Sequence, residues 1–376
     1  MAEELTWASV LAWRVERHAI ASRAPAADWH DVVRRVCGLH AQVQSCAELT
    51  LWARTDDLDG DTVPRALWED RTLLRTWVQR GTLHLHASDE LALWVGAQAL
   101  PKPRYDSASW RKVAGMSSEE AVVVLDAIRA ALGGPPLTRD ELADAVTRTL
   151  GDKRLGESVR GSFGSMPKLG AFRGDVCFAK PLGQKVRFTR PDLWLGPWEP
   201  VTPPRTAMAG VLRRYLAVNG PATRERFARW FGLRSAALAG KEIKALGDEV
   251  VAVTIAGDDA GWMLAADVAR CAAAAPGGTV ALLPGFDQYT VAAPRRAVLA
   301  EEHRARVYRP QGWLSPVLLV DGRIEGVWSH EHKRGVLRVE IEPFGDPGDA
   351  VRAGAEAEAA RLGRYLGARD LEVSWA

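Results

Sequence analysis

Apolar residues recur along most of this chain with the spacing of helix faces, and in three places that pattern gives way to β-type runs that read as hairpins. The first pass predicts an amphipathic helix around TWASVLAWRVERHAI, a second around DWHDVVRRVCGLH and a third around AELTLWARTD. A short helix near DTVPRALWED follows, then RTLLRTWVQRGTLHLHAS, two β-type runs joined through polar residues and Gly81. The second pass gives SSEEAVVVLDAIRAAL with Ser118 as N-cap, LTRDELADAVTRTL with Thr138 and Glu141 as a capping box, and the hairpin VCFAKPLGQKVRFTR. The third gives AMAGVLRRYLAVNG, TRERFARWFGL with Thr223 and Arg226 at its start, a helix near AALAGKEIKALGD and the hairpin VVAVTIAGDDAGWML. The PGGT segment near Gly277 then opens a β-rich tail: ALLPGFDQYTVAA, SPVLLVDGRIEGVW and GVLRVEIEPF, closed by an Ala/Glu/Arg helix over 350–367.

Helices followed by a hairpin are the order of a winged helix, a helix-turn-helix variant whose hairpin forms the wing. The predicted fold class is α+β: three tandem winged-helix modules over 1–115, 116–203 and 204–275, then a β-rich C-terminal domain with a terminal helix over 276–376. With 376 residues, 47% of them hydrophobic, the chain can bury more than one core. Cys37, Cys46, Cys177 and Cys271 are scattered without CxxC or zinc-finger spacing, so they read as small core residues in a reducing compartment. No basic-plus-apolar leader opens the sequence and no apolar run reaches about 18 residues, so a cytoplasmic protein with no membrane partner is expected.

Net charge is only +2, but its distribution is uneven. Residues 151–190 hold 9 Lys/Arg against 3 Asp/Glu and residues 205–234 hold 7 against 1. Residues 1–60 hold 6 against 9, and residues 340–376 hold 4 against 8. A basic middle between acidic ends suits a central face that meets phosphate, although a solvated arginine-rich surface has the same composition.

The candidate chemistry lies in GLHAQVQSCAEL, residues 38–49, where His40, Gln42 and Gln44 stand two apart between apolar runs. Buried polar groups need a partner or a task. Residues two apart share a face in an extended segment and not in an α-helix. Convergence of His40 and Gln42 therefore requires the second helix to end near Gly38 or Leu39, and Gly38 permits such an ending. Helix capping by the same side chains is the structural alternative.

GLHAQVQ after the second helix, RTWVQRGTLHL in the first wing, and LLPGFDQYTVAAPRR leading to HRARVYRPQGWLSPVLLVDGRIEGVW resemble the AlkZ/YcaQ family of bacterial DNA glycosylases over most of the chain. Only the Gln-x-Gln-type motif speaks to chemistry; the other segments speak to fold. In that family a Gln-x-Gln or Gln-x-Asp pair is linked to hydrolysis of the glycosidic bond of N7-alkylguanine, and some members are self-resistance enzymes that remove bulky natural-product adducts. Two registers fit. Matching the GLQAQ of relatives puts His40 and Gln42 on the paired positions, while Gln42 and Gln44 preserve the literal Gln-x-Gln.

The resemblance implies a monofunctional glycosylase with no cofactor or metal, monomeric and nucleoid-associated, whose partner is double-stranded DNA containing alkylated guanine. N7 alkylation makes the base cationic, so it departs neutral without a general acid. The protein must hold a water near C1′ and stabilise an oxocarbenium-like sugar. A carboxamide supplies an acceptor without full charge, and a neutral His40 can also take the water's proton. Activity would then fall as pH drops through the ordinary imidazole pKa of about 6.5. No lysine lies in the motif, so no Schiff-base lyase step is implied.

Arg75, Arg80 and the 82–84 strand can set the first wing on a duplex, and Lys168, Arg173, Arg295 and Arg296 are the candidate phosphate contacts. Asp287, within an apolar stretch, reads as a structural acceptor or a lesion-pocket residue. Of 15 tryptophans, those in helices (Trp7, Trp13, Trp52) read as core, whereas Trp77 in the wing can meet a base or a polycyclic adduct. His84 with His86, and His330 with His332, form two-residue spacings that could begin a metal site but lack a third ligand. A metal hydrolase and a non-catalytic winged-helix regulator are the competing classes.

Overall fold

In the computed structural model, residues 4–161, 165–198, 201–256 and 260–376 are described. Side-chain caps start several of the helices. Thr138 accepts from the Glu141 amide and Glu141 accepts from the Thr138 amide, the capping box expected for the Arg139–Leu150 helix. Thr223 caps Arg224–Phe231 by accepting from the Arg226 amide. The Ser118–Ala131 helix is capped one residue earlier than its sequence suggested, by Ser117 rather than Ser118. Only Ser117 has a glutamate three residues on: Glu120 accepts from the Ser117 amide at 2.8 Å while Ser117 accepts from Glu120 at 3.1 Å. Ser118 would face Ala121, which has no acceptor to return.

The chain forms two compact units, residues 63–211 and residues 1–62 with 212–376. In the first, Leu73–Trp77 and Leu83–Ala87 pair antiparallel, Leu73 opposite Ala87 and Trp77 opposite Leu83. Cys177–Leu182 and Lys185–Thr189 form the second hairpin, extended by Leu137–Thr138. Leu74, Leu91, Val95, Cys177, Ala179 and Trp194 make a core cluster of this unit. Trp77 is buried between Phe178 and Phe188, at centroid distances of 4.8 and 5.9 Å. Its ring is core, so the expectation that it meets a base or adduct is corrected: Phe178 and Phe188 of the second hairpin cover it.

In the other unit Glu4–Leu5 runs parallel to Val250–Ile255, which pairs antiparallel with Gly261–Leu264. The turn of that hairpin, 257–259, lies outside the described residues. A core of Leu5, Val10, Trp13, Val253, Met263 and Cys271 joins this sheet to the Trp7–Arg17 helix. Arg14 of that helix, fully buried, donates to the carbonyls of Asn219, Gly220 and Pro221. One turn on, His18 Nε2 lies 3.1 Å from Asn219 Oδ1. Burial, and after it the Arg54 charge, holds His18 well below the usual imidazole range. The unfolded chain takes up a proton near pH 6.5 that this folded site refuses, so stability falls as pH drops below that value. We expect a slope of up to about 1.4 kcal/mol per pH unit from this one group. His18→Gln should flatten the acid limb of urea-melt stability between pH 4.5 and 6.5; an unchanged slope would contradict the assignment.

The C-terminal sheet runs in the order Val280–Leu283, Val317–Val320, Arg323–Lys333, Val336–Pro343, Asp370–Trp375. Neighbours are antiparallel except the last pair, which is parallel. That last strand was not expected, because DLEVSW is half polar and mostly solvent-facing. Only the first three residues of the ALLPGFDQYTVAA segment are strand, as the end of Val280–Leu283; Gln288–Ala292 is a helix capped by Asp287, whose carboxylate accepts from the Tyr289 amide at 2.8 Å. The terminal helix, Gly348–Tyr365, places Arg361 over the Trp52 ring at 4.0 Å and bonds the Trp52 carbonyl at 2.8 Å. Trp52 closes the Gln44–Trp52 helix, so the terminal helix fixes the far end of the element that begins at the candidate motif.

Candidate active site

The Trp29–Arg35 helix stops earlier than expected, because Cys37 and Gly38 both take left-handed backbone, with φ of 64° and 85°. The Gly38 amide still reaches back to the Val33 carbonyl at 2.9 Å. The chain then extends through Leu39–His40, bends at Gln42 and Val43, and starts the next helix at Gln44. His40 and Gln42 thus lie on non-helical backbone, as a site built from both requires, though the helix ends at Arg35 rather than near Gly38.

Four consecutive residues of the GFDQ turn each meet a different part of segment 38–54. Gly285 lies against Cys46: a β-carbon there would stand 3.6 Å from Sγ and 2.9 Å from the Leu314 carbonyl, so no side chain fits. Phe286 stacks on His40, centroids 5.0 Å apart and planes 14° from parallel. Asp287 receives both terminal nitrogens of Arg54 at 2.7 Å, with both side chains at 0% exposure. Gln288 donates to the Gly38 carbonyl at 2.5 Å. Phe286 holds φ at 59°, a left-handed backbone that costs a non-glycine residue on the order of 1 kcal/mol and persists where its surroundings over-determine it. The turn therefore fixes the ring plane of His40, which is only 4% exposed.

Gln42 is exposed and Gln44 half-buried. Gln44 opens its helix and donates to Glu48 one turn on at 3.0 Å, an i, i+4 pair along the helix surface. Cys46 sits behind the motif; burial, and then the Asp287 charge, pushes its thiol up to about 11, so it stays neutral. The sequence had left Asp287 open between two roles, and its bidentate Arg54 partner makes it structural. Phe286 and Gln288 were missed as site residues; the only signal was two polar residues, Asp287 and Gln288, inside an apolar run.

Arg295 and Arg296 are exposed in the same unit. Arg295 lies over the Tyr308 ring at 4.1 Å, and Arg309, exposed beside it in sequence, was not anticipated. In the 63–211 unit, Lys168, Phe172 and Arg104 pack around Gly81, the residue after Arg80. A β-carbon on Gly81 would meet Lys168 Cδ at 3.1 Å, Phe172 Cζ at 3.4 Å and Arg104 Nη1 at 3.6 Å. Burial lowers Arg80 to about 10 and, with the Arg104 charge second, lowers Lys168 as well. Arg75 lies over Phe178 at 5.1 Å. Arg173 pairs with Asp126 at 2.7 Å and Asp175 at 2.9 Å, so its charge is already matched within the fold.

His84 and His86 are buried: His84 Nδ1 is 3.0 Å from the Thr82 carbonyl, and His86 packs on Trp94 at 4.2 Å. His330 stacks on Trp328, and burial followed by His332 lowers its pKa. Among the described residues no group of three or more His, Cys, Asp or Glu is placed to hold a metal ion, and no helix is long and apolar enough to cross a membrane.

Mixed α+β architecture and this clamped polar motif define a class once comparisons are added. A family model described as DNA glycosylase AlkZ-like matches residues 33–365. The chain belongs to that family and is a DNA glycosylase, an enzyme whose substrate is DNA. It is 36% identical over 381 residues to an interstrand DNA cross-link repair glycosylase of Streptomyces sahachiroi, covering 98% of each chain. The solved structure of Streptomyces sahachiroi DNA glycosylase AlkZ matches with a TM-score of 0.88 at 34% identity, over 99% of this chain and 100% of that one.

Proposed function

We propose that this glycosylase hydrolyses the N-glycosidic bond of N7-alkylguanine adducts in duplex DNA, bulky natural-product adducts and interstrand cross-links included, with His40 and Gln42 as the reacting-centre pair. Its setting is DNA repair or self-resistance to a DNA-alkylating antibiotic. The carrying observation is the buried imidazole locked against Phe286, two residues before an exposed carboxamide. The pairing of Gln44 with Glu48 supports the His40/Gln42 register over Gln42/Gln44. The name of the Streptomyces relative supports cross-linked substrates, and the three helix-then-hairpin passes support three winged-helix modules.

Chemically, alkylation of N7 leaves a base that departs without a proton, so the residues need to act only on the sugar side. The Gln42 carbonyl accepts a hydrogen bond from the attacking water, and neutral His40 accepts its proton as the C1′–O bond forms. Neither brings a full charge before reaction, which suits a cationic substrate. Arg295, Arg296 and Arg309 would meet phosphate in one unit, and Arg80 and Lys168 in the other.

Duplex carrying N7-methylguanine, incubated with enzyme in EDTA and then heated in alkali, is expected to break at the lesion. No break is expected before the alkali step. Breakage without alkali, or abolition by EDTA, would contradict a monofunctional, metal-independent hydrolysis.

A further inference from the structure

Fourteen of the fifteen tryptophans are buried or half-buried; Trp313 alone is exposed, at 50%. A single exposed aromatic needs no explanation by itself. This one is joined to the candidate site. Its ring stands edge-on to Phe286 at 5.0 Å, and Phe286 stacks on His40 at 5.0 Å. Those two contacts bound the separation of the His40 and Trp313 rings at about 10 Å.

The ring is also held in place. The Trp313 carbonyl accepts from the Arg309 amide at 2.9 Å, the Trp313 amide donates to Pro310 at 3.3 Å, and Tyr308 bridges to Leu314. Gln311 and Gly312 between them are both left-handed, with φ of 59° and 79°. The loop's Leu314 carbonyl in turn fills the space a Gly285 side chain would need. Hydrophobic collapse does not account for a half-exposed indole on so constrained a turn; presentation of its ring does.

We infer that Trp313 is a stacking subsite for the planar aromatic portion of a bulky N7-guanine adduct. The inference rests on the N7-alkylguanine reading above and adds a substrate class to it. A flat ring system on Trp313 lies within reach of a guanine whose sugar faces His40, whereas a methyl group is too small to reach the indole. Trp313 then determines specificity without taking part in bond cleavage.

The test compares wild type, Trp313→Ala and Trp313→Phe on two duplexes, one with N7-methylguanine and one with a guanine carrying a fused polycyclic aromatic group at N7. For Trp313→Ala, kcat/KM on the polycyclic adduct should fall about 5- to 150-fold, the range of aromatic stacking losses. The N7-methylguanine rate should stay within about twofold, and Trp313→Phe should recover part of the loss. Equal losses on both lesions, or none on either, would overturn the subsite. If wild type excises neither lesion, the N7-alkylguanine reading fails on its own. Equilibrium binding then decides the subsite: preference for polycyclic over methylated duplex should shrink in Trp313→Ala, and an unchanged preference overturns it.

Discussion

Asp287→Ala should destabilise the enzyme by about 3–5 kcal/mol, the range for removing one partner of a buried ion pair. Asp287 and Arg54 are both fully buried, and the carboxylate also caps the Gln288–Ala292 helix. Removing it leaves the guanidinium of Arg54 in the interior with the Thr50 carbonyl at 2.8 Å but without its counter-charge. Urea denaturation of wild type, Asp287→Ala and the double variant Arg54→Met/Asp287→Leu reads the effect. The double variant should lie closer to wild type than the single one, because an apolar pair leaves no stranded charge. A single-variant loss below about 1 kcal/mol would remove the ion pair from any clamping role.

His40→Ala is expected to lower kcat on N7-methylguanine duplex by about 10²- to 10⁴-fold, the contribution of a positioned general base. KM should move little, because the proposed role of His40 is toward the water and sugar and not toward holding the duplex. His40→Gln separates base from acceptor: a carboxamide can orient water but takes no proton at neutral pH. That variant should keep more activity than His40→Ala; activity no higher than His40→Ala would remove water orientation from the role of this position.

Two helix starts were legible because capping is local: Thr138 with Glu141 and Thr223 with Arg226 are read three residues apart, whereas Ser118 fell one residue past the true cap, Ser117. All three hairpins were legible from β-type runs separated by turn residues. His40 and Gln42 could be singled out as polar residues between apolar runs, but the cost of burial applies only to His40, since Gln42 is exposed. The clamp was not legible. Arg54 and Asp287 stand 233 positions apart, Gly38 and Gln288 250, and no periodicity connects partners at that range. Trp77 and Trp313 show the same limit: a strand ring and a loop ring look alike in sequence, yet packing buries the first and leaves the second at the surface. Arg173, one of several basic residues in a basic stretch, is matched by carboxylates from Asp126 and Asp175 that charge counting could not assign to it.

Mass analysis of what leaves a duplex containing one N7-alkylguanine tests the central claim most directly. Intact alkylated guanine should be released in equal amount to abasic sites, and release should collapse in the His40→Ala/Gln42→Ala variant while its binding to the duplex persists. Undiminished base release from that variant, or a modified nucleoside or nucleotide as the product, would contradict glycosidic hydrolysis centred on His40 and Gln42.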